Sequence, residues 1–100
     1  MSPEIAARLE TLGIQLAAQA RDYCLFVRLD CLALVHSREG SFTSIGSTGM
    51  MTENGLSYLS WRGDSPVLAA HGGKECAATA DQVDAIRAFS ADLKRALELT

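Results

Sequence analysis

The chain has 100 residues, 48% of them hydrophobic and 21% charged, with 3 cysteines and a formal net charge of -3. No uninterrupted apolar run approaches the ~18 residues of a membrane span, because Arg28 and Asp30 break the greasiest segment. The nine Lys and Arg are scattered, which argues against nucleic acid or an anionic membrane surface as a partner.

Length and composition predict a single domain over residues 1–100 with a modest core. A compact chain of this mass keeps roughly 5,500 Å² exposed and buries about two-thirds of its extended surface. The opening Met1-Ser2-Pro3-Glu4 lacks the basic and apolar regions of a secretory signal, and three cysteines cannot all pair within one chain, so a reducing cytoplasm is the expected compartment.

Ser2 is a good N-cap with Pro3 at the first helical position, and Ile5, Leu9, Leu12 and Leu16 follow at helical spacing. The pattern predicts a first helix running to about Arg21, with Ile14 on its opposite side. From Tyr23 the residues become β-type. Leu29-Asp30 lacks the Gly or Asn favoured by tight hairpin turns, so Tyr23 to Val35 reads as one long strand. In that strand Leu25, Val27, Leu29, Ala33 and Val35 share one face, while Phe26, Leu32 and Leu34 share the other with Arg28 and Asp30, which are placed to pair.

Ser37 to Gly40 has the chemistry of a tight loop leading to a second strand over Ser41–Gly46. Asn54-Gly55 and Gly63-Asp64-Ser65-Pro66 punctuate two further strands, Leu56–Arg62 and Val67–His71. Thr79 with Gln82 forms a capping-box signature for a last helix whose apolar stripe is Val83, Ile86, Phe89, Leu93 and Leu97. The expected fold class is α+β: an N-terminal helix, a four-stranded antiparallel meander and a C-terminal helix.

Several strings invite a chemical reading. Arg62-Gly63-Asp64-Ser65-Pro66 looks like the adhesion motif read by integrins, but Gly-Asp-Ser-Pro is also ordinary turn chemistry. Cys31 with His36, and His71 with Cys76, supply two thiols and two imidazoles, without the close cysteine spacing of structural zinc sites. No cysteine sits in a nucleophile elbow, and the acidic residues come from separate segments. Gly46-Ser47-Thr48-Gly49 matches a Gly-x-x-Gly clamp only superficially, and Gly73-Lys74 lacks the rest of a phosphate loop. The expectation is a chain with no catalytic residues, metal ligands or cofactor.

Two helices with one apolar stripe each cover a single face if they dock on the same side, and the first long strand is apolar on both faces. The residues expected at the uncovered surface are Ile14, Phe26, Leu32, Leu34, Met50, Met51 and Trp61. The function expected is therefore a non-catalytic protein-binding module of chaperone, adaptor or inhibitor type that acts as a homodimer. Its partner is another protein or a second copy of itself. In outline the chain is similar to type III secretion chaperones, although only Ser47 to Asn54 fills the place of their middle helix. It is also similar in outline to small phage or mobile-element inhibitors such as anti-CRISPR proteins, which share no common motif. The reading from another class is a small-molecule-binding domain using His36 and His71.

Overall fold

A computed structural model describes residues 1–99. Helix α1 spans Pro3–Thr11, and seven strands follow: β1 (Gln15–Gln19), β2 (Tyr23–Arg28), β3 (Cys31–Arg38), β4 (Ser41–Thr52), β5 (Gly55–Arg62), β6 (Ser65–Ala70) and β7 (Glu75–Ala77). Helix α2, Ala80–Ala96, closes the chain. All seven strands form one antiparallel sheet in chain order, so each strand pairs with its sequence neighbours. The α+β class holds. The four-stranded meander expected from the pattern is corrected to seven strands.

The three extra strands have separate physical origins. β1 arises because α1 ends early. The N–H of Ile14 bonds the carbonyl of Leu9 at 2.9 Å, and that of Gly13, whose φ is +71°, bonds Glu10 at 3.0 Å. This is the paired-bond helix stop in which a glycine adopts the left-handed conformation. The helix therefore stops at Thr11, not Arg21, and Leu16 belongs to a strand although it continues the helical spacing.

The second extra strand comes from Tyr23–Val35, which is a hairpin, not one strand. Arg28 pairs with Cys31 across the two-residue turn Leu29-Asp30, and Leu29 takes φ +54° without being glycine. Its side chain is 97% exposed, so nothing local compensates the backbone cost; continuous pairing along β2 and β3 holds the turn. Three other two-residue turns, at Glu39-Gly40, Glu53-Asn54 and Gly63-Asp64, join β3 through β6. The third extra strand, β7, has only three residues, too few for alternation to reveal.

The hairpin also changes which side chains share a face. Directly paired residues on antiparallel strands point the same way, so Phe26 joins Ala33, and Leu25 joins Leu34. One strand would place Phe26 with Leu34. The resulting core gathers Cys24, Phe26, Cys31, Ala33, Val35 and Leu68 with Leu9, Ile14, Ile86, Phe89, Leu93, Ala96 and Leu97. Side chains from both helices enter this cluster, so α1 and α2 lie on the same side of the sheet.

Both helix starts follow the sequence signals. Ser2 Oγ accepts from Ile5 N at 3.2 Å, while Thr79 and Gln82 exchange bonds of 3.1 and 2.9 Å. Val83, Ile86, Phe89, Leu93 and Leu97 are all buried. α2 is tied to the sheet by Arg28, whose guanidinium donates to Asp92 at 2.8 Å and lies 5.4 Å from the centre of the Phe89 ring. Arg28 therefore pairs with Asp92, not with its strand neighbour Asp30. The acceptance of this bond, chiefly, holds the Asp92 carboxyl below its usual range.

Candidate functional site: the open face of the sheet

The side of the sheet away from the helices carries a continuous apolar row. The pairing register places Leu25 and Val27 of β2, Leu32 and Leu34 of β3, Met51 of β4, Leu56 and Tyr58 of β5, and Val67 and Ala69 of β6 on this side. None belongs to the core cluster. Leu25, Val27, Leu34, Tyr58 and Val67 are half-buried by their own neighbours, and Tyr23, Met51 and Leu56 are exposed. Leu32 is also on this side and is 1% exposed, although it is not part of the helix-side cluster.

Toward one edge the face carries an ion pair: Arg62 of β5 donates to Glu75 of β7 across β6, past Val67, from Nε at 3.2 Å and also from Nη2. This contact raises the affinity of Arg62 for its proton and lowers that of Glu75. At the other margin the imidazole of His36 lies against Gly46, where an added Cβ would sit 2.8 Å from Nε2. Gly49 is under a stronger constraint: a Cβ there would lie 1.9 Å from the carbonyl oxygen of Ser57, so only glycine permits this approach of β4 to β5.

Of the residues expected at the uncovered surface, Leu32, Leu34 and Met51 stand on the open side. The others do not. Ile14 is core, because the helix stop turns it inward to meet Leu9. Phe26 is fully buried, because the hairpin moves it to the helix side, where its ring meets Phe42 edge-on at 5.7 Å. Met50 is paired with Cys31 and packs against the core. Trp61 remains exposed but also points to the helix side, where Arg87 of α2 lies 5.8 Å over its ring. Leu25, Val27, Tyr58 and Val67 belong to the open face and were missed. Their signal is the alternation within β2, β5 and β6, which identifies the right side only once the turns are placed.

The sites considered for other chemistry are dispersed. The row Cys31, Met50, Ser57, Ala70 crosses the sheet at one end, which places His71 there. His36 lies five residues away along β3, roughly 17 Å at strand rise. Among the described residues no group of three or more His, Cys, Asp or Glu gathers at metal-binding range. Cys24 and Cys31 are buried thiols, and that burial raises both their pKa values, which suppresses the nucleophilic thiolate. Gly46-Ser47-Thr48-Gly49 lies inside β4, and Gly63-Asp64 forms the β5–β6 turn with the neighbouring Arg62 anchored to Glu75.

A groove of about 530 Å³ runs between α1 and α2 past Ala7, Leu12 and Ala96. Its charged groups already have partners. Asp92 accepts from Arg28 and Arg95, and Arg8 donates to the Ala96 carbonyl and to Glu98. The groove therefore offers no unpaired charge to a ligand. No helix among the described residues is long and apolar enough to cross a membrane. Comparison of the chain with family models, curated proteins and solved structures finds no match.

Proposed function

We propose that this chain is a non-catalytic protein-binding module that acts through the open face of its sheet. The observation that carries the reading is the docking of both helices on one side, which leaves apolar side chains of five strands, β2 to β6, uncovered on the other. Covering them gives a favourable free energy of about 25 cal/mol per Å² before ordering costs, so even a few hundred Å² contributes several kcal/mol. A chaperone, adaptor or inhibitor needs such a surface and no reacting group. The three unpaired thiols support a working place in the reducing cytoplasm.

The test is site-specific photo-crosslinking in living cells. A photoreactive residue at Tyr58 on the open face is compared with one at Asp84, an exposed position of α2. The expected outcome is a protein adduct from Tyr58 and none from Asp84. Absence of an adduct from Tyr58 and from Leu34 would overturn the reading.

A further inference from the structure

We infer that the open face is covered by a second copy of this chain, packed face to face into a four-layer helix–sheet–sheet–helix sandwich. The inference rests on the contact-surface reading above and names the occupant.

The first argument is area. The chain exposes 6335 Å². That is about 800 Å² more than a compact monomer of this mass retains. A standard interface covers about 800 Å² on each partner, so one such contact removes the surplus. The whole sheet has matching dimensions, with the five strands that carry the apolar row, β2 to β6, as its central two-thirds: at a spacing of about 4.8 Å, seven strands span roughly 30 Å, and strands of about six residues give roughly 20 Å in the other direction. The projected area is about 600 Å², and a corrugated side-chain layer exposes more than its projection.

The second argument is charge. The face presents Leu25, Val27, Leu34 and Tyr58 with no ionised side chain among them, and the Arg62–Glu75 pair, which crosses β6 beside Val67, neutralises itself. A charged partner finds no complement there. A two-fold contact needs a patch that matches itself, which an uncharged apolar patch with a polar margin does. The third argument is layering. Interfaces of obligate dimers resemble a domain core cut in half, and a sheet with both helices on one side is such a half.

The test is sedimentation equilibrium of the full chain at about 100 μM, a concentration that populates even a weak dimer. The expected mass is twice 10.7 kDa. Leu34→Asp and Val67→Lys, with folding checked by far-ultraviolet circular dichroism, are expected to raise the dissociation constant at least about 100-fold. Leu16→Lys, on the exposed edge strand β1, is expected to leave it unchanged. Should Leu34→Asp fail to fold, Tyr58→Ser is read in the same way.

A wild-type monomer at this concentration would overturn the inference. So would a dimer that survives the open-face substitutions and is lost with Leu16→Lys, since the edge would then be the contact. The crosslink at Tyr58 separates this failure from that of the broader reading. A monomer whose Tyr58 crosslinks to a different protein refutes the second copy and leaves the contact surface standing; a monomer without any adduct refutes both.

Discussion

Leu25 and Phe26 are neighbours in β2 and chemically alike, yet Phe26 is fully buried in the core with Phe89 while Leu25 stands half-covered on the other side. The same contrast runs across the sheet. Ala33, Val35 and Leu68 belong to the core that the helices enter, whereas Leu34 beside Leu25, Tyr58 beside Ala69 and Val67 beside Ser60 have only neighbours within the sheet. Apolar content does not separate the two faces; helix docking does. A residue's contribution to stability therefore depends on which side of the sheet it occupies more than on its own hydrophobicity.

Substitutions that break this comparison most strongly lie on the helix side. Phe89→Ala removes a fully buried ring from the core and is expected to cost about 3–5 kcal/mol in chemical denaturation, independent of protein concentration. A loss below about 1 kcal/mol would show that α2 is not the principal cover of this face.

The tie between α2 and the sheet should be worth less. Asp92→Asn is expected to cost about 1–3 kcal/mol at neutral pH, because Arg28 loses a charged partner. The pKa of Asp92 is lowered in the folded chain, so its stabilisation is present above the ordinary carboxyl value of 3.8 and is lost as pH falls through the folded value. Denaturation midpoints measured from pH 6 down to about pH 2 should therefore fall for wild type and fall less for Asp92→Asn. Equal slopes would contradict the pairing.

On the open side Leu34→Thr is expected to cost under about 1 kcal/mol in dilute solution, since no helix rests on this residue. Its full cost should emerge only as protein concentration rises, where wild type gains stability and the variant does not. Smallest is the turn. Leu29→Gly relieves a left-handed conformation at an exposed position and is expected to stabilise the fold by up to about 1 kcal/mol. A loss of stability on thermal unfolding would mean that the leucine makes a contact in solution.

Much of the fold was legible locally. Ser2 and Thr79 with Gln82 mark helix starts through hydrogen bonds between residues three apart, and the stripe from Val83 to Leu97 depends only on helical period. Gly13 was also a readable stop signal, since only glycine takes φ +71° without strain, but the spacing of Leu16 continued the helix past it. The open face was legible in kind but not in membership. Leu32, Leu34 and Met51 lie on the side away from the helices, Leu32 buried there, while Phe26 was exchanged for Leu25 and Val27 because a straight strand and a hairpin assign opposite sides to the same alternation.

The amino-acid order by itself determined the elements whose signals lie within one turn or one helix: the caps, the apolar stripe of α2 and the Gly-bearing turns. Tertiary structure alone decided the Leu29-Asp30 turn, because its backbone cost is offset only by pairing along both strands. It also decided that α1 and α2 share one side. Nothing in either helix encodes the side; the choice follows from burying both stripes in one core, which leaves the opposite face of the sheet uncovered.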